Sequence, residues 1–261
     1  MNYGTMSEIT LFAADFRNDN PRGWNYCSGQ IENISGHEAL NTLLGTRHGG
    51  NGRQTFGVPH LDAAPLLLKK GYGNDALKFI MCSQGTFPSV SSFMGGYVGM
   101  IKMMASDVLP KDWAYCDGQL LPIASNQALF DTIGTKYGGD GTTNFALPKL
   151  NANSLCSNGT APKFVIAKKT HSSYGGDDPE FGMSQVVLFG GDTPPSNWAF
   201  CDGQEMGIGD NSALFSLVGT CYGGDGRTKF GLPKMDVSSI SEGTGCPKAI
   251  ICTEGLFPSR A

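Results

Sequence analysis

The sequence predicts an α+β protein made of three tandem modules, each mostly short strands with one short helix. The first observation is a pattern that stands three times: a Trp-led turn, a short helical run, a glycine-rich loop and a Phe-x-x-Pro stop. Trp24 precedes Pro59, Trp113 precedes Pro148 and Trp198 precedes Pro233 by the same 35 residues (59 − 24, 148 − 113 and 233 − 198). No insertion separates the copies, which marks an internal repeat. The second is the punctuation: 37 glycines and 14 prolines with no collagen period set short elements between turns. The third is that helical spacing occurs once per copy, between the turn and the loop.

The elements follow in order. The modules are expected over residues 7–92, 93–182 and 183–261, with seams near Ser92 and Gly182. Each opens on a strand: SEITLFAADF alternates apolar and polar residues, and YVGMIKMM and MSQVVLF stand in the same place. Asn20-Pro21-Arg22-Gly23 is a turn that delivers Trp24. After each Trp comes Cys-x-Gly-Gln, at Cys27, Cys116 and Cys201. The run NQALFDTI sets Leu129, Phe130 and Ile133 on one helical face, with Ser125 and Asp210 as expected N-caps in modules 2 and 3. Gly45, Gly134 and Gly219 are expected to end the helices. The loops are His48-Gly49-Gly50-Asn51-Gly52, Tyr137-Gly138-Gly139-Asp140-Gly141 and Tyr222-Gly223-Gly224-Asp225-Gly226. No Lys-Ser/Thr follows them and no strand precedes them, so they are not phosphate cradles of the P-loop type. Each module closes on an apolar strand, around Phe79, Phe164 and Ala249. Module 2 lacks the Gly-x-Phe-Pro-Ser ending of the other two.

Composition narrows the function classes. Net charge is −4, from 19 basic and 23 acidic residues, and no Lys/Arg run exceeds a pair. Nucleic-acid binding has no electrostatic footprint here. No stretch of about 18 apolar residues suggests a membrane span. The N-terminus lacks the basic and apolar regions of a signal peptide, so the expectation is synthesis in the cytoplasm. Export would then be as part of a particle or by a route that the sequence does not show.

The repeat resembles the phage tail collar family, which includes the microcystin-dependent-protein-like members. The residues that carry the resemblance are Trp113-Ala114-Tyr115-Cys116-Asp117-Gly118-Gln119, Gln127-Ala128-Leu129-Phe130, Gly134-Thr135, Tyr137 to Gly141 and Phe145-Ala146-Leu147-Pro148. Module 3 matches as well, and its ICTEGLFPSR ending is similar to the family's C-terminus. Module 1 diverges, with Ser28, His48 and Asn51 where the others have Asp, Tyr and Asp. The family commonly continues Leu-Pro-Asp-Leu-Arg-Gly-Arg; this chain has Lys149-Leu150-Asn151 and Lys234-Met235-Asp236 instead. Family members usually carry one module, often within a fibre protein, and such fibres are commonly homotrimers. The resemblance therefore implies a non-enzymatic structural or interaction protein of a phage tail or phage-tail-like particle, as tip, cap, adaptor or receptor-binding component. Its three linked modules are expected to close into a pseudo-threefold ring with equivalent helices facing one axis. Partners would be other tail or filament proteins. The alternative is a lectin-like protein that binds cell-surface glycan. An enzyme ranks last.

The candidate chemistry is sparse. Asp117 with Asp140, and Asp202 with Asp225, are possible carboxylate pairs or cation ligands. Asp beside Gly more often caps its own turn, and module 1 has Ser28 and Asn51 at these places. His37, His48, His60 and His171 have no metal spacing with the cysteines, and no cofactor is implied. The eight cysteines form no CxxC; Cys27, Cys116 and Cys201 share one slot, and Cys82, Ala167 and Cys252 another. Ala167 breaks the only repeated pairing, so buried free thiols are expected. The tryptophans read as core anchors rather than sugar platforms. Ligand contact falls to the loops: His48, Tyr137 and Tyr222 beside the glycines, with Arg53, Asp140, Asp225 and Arg227. Arg53 and Arg227 face Thr142 at the equivalent place, which would make the three faces unequal.

Overall fold

The computed structural model describes residues 4–13, 22–66, 78–88, 94–157, 159–171 and 181–257. The Asn20-Pro21 part of the expected turn and the seam near Ser92 lie outside these residues. Each module repeats one order of elements. Module 1 has β1 (Glu8–Phe12), β2 (Trp24–Tyr26), β3 (Ile31–Asn33), α1 (Glu38–Leu44), β4 (Thr55–Gly57) and β5 (Lys78–Cys82). Module 2 has β6 (Met100–Met104), β7 (Trp113–Tyr115), β8 (Leu120–Pro122), α2 (Gln127–Ile133), β9 (Asn144–Ala146) and β10 (Lys163–Ala167). Module 3 has β11 (Gln185–Phe189), β12 (Trp198–Phe200), β13 (Glu205–Gly207), α3 (Ser212–Val218), β14 (Lys229–Gly231) and β15 (Lys248–Cys252). The short hairpins β3–β4, β8–β9 and β13–β14, three residues a strand, are too brief to show a period in sequence.

Within a module the closing strand pairs antiparallel with both the first strand and the Trp strand. The register sets Trp24 beside Cys82, Trp113 beside Ala167 and Trp198 beside Cys252. The first strands then join everything into one curled nine-stranded sheet. Ile9 pairs with Met103, Ile101 with Leu188, and Val186 with Leu11. The leading half of each first strand thus pairs with the trailing half of the next module's, in the order one, two, three and back to one. The sequence reading set helices at the centre, whereas these strands carry the pairing between modules.

A second contact repeats the same order in the loops after the Phe-x-x-Pro stops. The Asp62 N–H donates to the Leu155 carbonyl (2.9 Å), Asn151 to Ile240 (2.8 Å) and Asp236 to Leu66 (2.9 Å). Leu66, Leu155 and Ile240 are fully buried and, with Ile9, Ile101 and Val186, line a central space of about 30 Å³. This layer covers one face of the first strands while the tryptophan clusters cover the other. Every residue of β1, β6 and β11 is accordingly buried, despite the alternation of polar residues in β1.

Those buried polar residues are matched at the junctions. Between modules 1 and 2, Lys102 Nζ donates to Glu8 Oε1 at 2.6 Å and to the Gly95 carbonyl at 2.8 Å, and the two ionised side chains are 4% and 2% exposed. Glu8 Oε2 also accepts from the Thr5 N–H (3.1 Å). Between modules 3 and 1, Gln185 Nε2 donates to Thr10 Oγ1 at 3.2 Å. Between modules 2 and 3, Met100 and Val187 share an apolar cluster with Phe181, Phe189 and Trp198. The physical rule is that a buried polar group must be paired to be tolerated, and a buried charge more so.

Each helix is seven residues long and buries a short apolar stripe: Leu40, Leu43 and Leu44 in α1, Leu129 and Ile133 in α2, Leu214 and Val218 in α3. Phe130 is half-buried against Phe145, ring centroids 5.5 Å apart. The glycine stops form as expected: the Gly45, Gly134 and Gly219 N–H groups donate to the carbonyls of Asn41, Phe130 and Phe215 at 2.7 Å. The N-caps differ from expectation. They are Asn126 and Asn211, not Ser125 and Asp210, and no side chain caps the helix N–H groups. The cause is local. Ile123–Ser125 winds into a 3₁₀ turn, and the Asn126 and Asn211 amides donate backward to the Pro122 and Gly207 carbonyls, both at 3.0 Å.

The cysteines stand as thiols, and Cys27, Cys82, Cys116, Cys201 and Cys252 are buried. Cys27 and Cys82 belong to separate apolar clusters, the second beneath Trp24. Burial pushes the Cys252 thiol up to about 12 and raises Cys27, Cys82, Cys116 and Cys201 as well. A thiol so shifted packs as a small hydrophobe and is a poor nucleophile at neutral pH.

Candidate functional site

The glycine loops are tightly constrained in each module. A Cβ on Gly50, Gly139 or Gly224 would lie 2.5, 2.4 or 2.4 Å from the Cα of Phe56, Phe145 or Phe230, and φ is positive at all three. Only glycine permits that approach of loop to strand. The next residue ties the loop. Asp140 Oδ1 accepts from the N–H groups of Thr142 (2.8 Å), Thr143 (2.7 Å) and Asn144 (3.0 Å), and Oδ2 from the Thr143 hydroxyl and the Asn144 amide. Asp225 repeats this on Arg227, Thr228 and Lys229. Asn51 does so with its one amide oxygen on Arg53, Gln54 and Thr55. Asp117 and Asp202 each accept from the N–H two residues on (3.0 Å). These are turn caps, so the carboxylates hold the loops in shape.

The hydroxyl of Thr143, then the N–H groups of Asn144, Thr142 and Thr143, hold the Asp140 carboxyl well below the usual carboxylate range. Thr228 and its neighbours do the same for Asp225. A folded-state pKa depressed below the unfolded value of about 4 adds stability above that pH and loses it as pH falls further. The double variant Asp140→Asn/Asp225→Asn, which copies Asn51, should keep the loops and show a shallower loss of stability below about pH 4. Urea midpoints across an acid series measure it; a slope equal to wild type would refute the assignment.

Of the other expected contact residues, Arg53 and Arg227 are exposed, as are Asp140 and Asp225. His48, Tyr137 and Tyr222 are not: they are 4%, 6% and 4% exposed. For Tyr137 the cause is a module junction. Tyr137 Oη donates to the Gly190 carbonyl of module 3 at 3.0 Å, and burial raises its hydroxyl pKa. Neighbouring cations complete two junctions: Arg47 pairs with Asp107, and Lys136 with Asp192 at 3.1 Å. Cys221 stands at the corresponding place in module 3 and is exposed. The sequence showed the aromatic slot but not its direction, which for Tyr137 depends on the neighbouring module.

An open groove of about 420 Å³ lies on module 2, with Glu242 of module 3 at its edge, and no local pattern in the sequence marks it. Cys116, Leu150, Ala152 and Phe164 form part of its lining, with Tyr115, Asp117, Lys149, Asn151, Lys163 and Glu242 as the polar part. Lys149 Nζ lies 3.4 Å from Glu242 Oε2, and Lys163 Nζ sits 5.1 Å from the Tyr115 ring centroid. The one available signal was the departure at Lys149-Leu150-Asn151. His171 Nε2 lies 2.9 Å from Asp112 Oδ2 in module 2, where the other modules keep their Gly-x-Phe-Pro ending. Among the described residues no three His, Cys, Asp or Glu side chains gather in a metal-binding arrangement.

The family model described as Phage Tail Collar Domain matches residues 7–64, 99–155 and 184–239, one match per module. The chain belongs to the phage tail collar domain family. That makes it a structural protein of the phage tail-fibre type, carrying three collar repeats. No curated protein and no solved structure matches it. Among the described residues no helix is long and apolar enough to cross a membrane.

Proposed function

We propose that this collar protein is a compact tip, cap or adaptor of a phage tail or tail-like particle, with its three modules set around a pseudo-threefold axis within one chain. The observation that carries the reading is the cyclic pairing of β1, β6 and β11, echoed by the bonds among the Leu66, Leu155 and Ile240 turns. Linkage of the modules in one chain makes their association intramolecular, which favours it strongly over joining three separate chains. Modules 7–92, 93–182 and 183–261 would each present a loop face: Arg53, Thr142 or Arg227 beside the caps Asn51, Asp140 or Asp225. Such faces are alike in fold and unequal in charge. That suits a place where a symmetric tail meets an asymmetric partner, or a single tip, and the partners would be other tail proteins.

Two measurements test this. Small-angle scattering should give a radius of gyration of about 18 Å, as for a compact fold of this length; a value well above that would mean beads on a string. Cryo-EM of purified particles, with antibody to this chain, should find it at a tail terminus or junction. Absence from the particle would remove the structural role. The groove on module 2 favours a second reading, glycan binding, because it sets an aromatic edge beside polar groups. A glycan array decides that one.

A further inference from the structure

Position one of each first strand (Glu8, Met100, Gln185) abuts position three of the next module's (Lys102, Val187, Thr10). The three junctions hold an ion pair at 2.6 Å, a shared apolar cluster and a hydrogen bond at 3.2 Å. All six residues are buried. We infer that these pairs are a matching set: they fix the cyclic order in which the modules close, and they keep like modules of separate chains from forming the ring.

The alternatives can be written out. Closing in the reverse order would set Glu8 against Val187, Gln185 against Lys102 and Met100 against Thr10. A ring of three like modules would set Glu8 against Thr10, Met100 against Lys102, or Gln185 against Val187. In each case a buried charge loses its counter-charge, or a buried amide its partner. Leaving one such group unmatched is strongly destabilising, whereas a matched pair and a wholly apolar contact are both tolerated. Specificity therefore comes from what the wrong orders leave unpaired. A homotrimer with identical junctions has no need of such differences; a chain that carries three modules does. The inference rests on the ring reading, not on any role in a particle.

The test uses the full chain, unfolded in denaturant and refolded at low and high concentration. One readout is mass by light scattering after size exclusion. The other is carbodiimide coupling of Lys136 to Asp192, which are 3.1 Å apart across the junction of modules 2 and 3. Wild type should refold as a coupled monomer. In the variant Glu8→Met/Lys102→Val/Gln185→Met/Thr10→Val all three junctions copy the Met–Val pair. Its monomer should couple at a lower yield than wild type, since the first strands no longer distinguish the two orders, and oligomers should grow with concentration. In Glu8→Gln/Lys102→Thr/Gln185→Glu/Thr10→Lys the ion pair and the hydrogen bond trade places; with three different junctions retained, it should behave as wild type. If the first variant does not refold, Glu8→Met/Lys102→Val alone, with two like junctions, should give intermediate scrambling. Wild-type behaviour of the equalised chain, or equal scrambling of the permuted one, would overturn the proposal. Failure of the wild type itself to couple, with an extended scattering profile, would instead refute the ring.

Discussion

Lys102→Met will lower the stability of the fold by about 3–5 kcal/mol, the loss expected when one member of a buried pair is removed. The size follows from what remains. Glu8 keeps the Thr5 N–H but no cation, and its carboxylate stays 2% exposed. The Gly95 carbonyl loses its donor as well. Methionine fills the space beside Trp113 and Phe181, whose rings lie 5.9 and 5.4 Å from the ammonium, so loss of volume is a small part of the effect. The double variant Glu8→Met/Lys102→Val should recover most of the stability, because it copies the pair that Met100 and Val187 place in their apolar cluster. Urea titrations of the two variants check this. A single variant as stable as wild type would mean that water reaches Glu8. A double variant no better than the single would mean that the pair adds stability of its own. Recovered stability with lost module order would separate the two uses of the pair: energy is supplied equally well by an apolar contact, while order needs the junctions to differ.

Much of the fold was legible because its determinants are local. The repeat, the Trp-led turn, the helix and its glycine stop and the turn-capping Asp140 all follow from neighbours within a few residues. What sequence did not reveal is set between modules. His48, Tyr137 and Tyr222 stand in loops that read as surface, yet all three are buried, and Tyr137 reaches across to Gly190 of the next module. Glu8 and Lys102 are 94 residues apart, and each alone reads as one polar position in a strand. Ser125 and Asp210 were good caps by residue type, yet a 3₁₀ turn before α2 and a plain turn before α3 moved each helix start by one residue. The groove on module 2 sets its own Tyr115 with Glu242 of module 3, a juxtaposition that no local pattern encodes.

Trp113→Ala will also cost about 3–5 kcal/mol, as for other large-to-small changes at a buried aromatic. Trp113 is 2% exposed and packs with Met94, Met104, Val165 and Ala167, and its Nε1–H donates to the Met94 carbonyl at 3.0 Å. A Cβ on Gly96 would lie 2.8 Å from the ring, so the backbone lies directly against it. Truncation removes the ring, leaves the Met94 carbonyl without its donor and opens a space that Ala167 is too short to fill. In modules 1 and 3 Cys82 and Cys252 stand at that place beside Trp24 and Trp198. The melting temperature should fall by roughly 6–20 °C for a chain of this size. The shape of the transition is informative too. Because β10 joins Trp113 to β6, and β6 joins β1 and β11, the loss should lower one transition for the whole chain. Independent modules would show instead a partial step of about one third of the amplitude, with the rest melting as in wild type. Calorimetry with tryptophan fluorescence of the two remaining reporters distinguishes the two. A melting temperature that does not move, together with lost binding to a glycan or tail partner, would show that Trp113 serves a ligand and not the core.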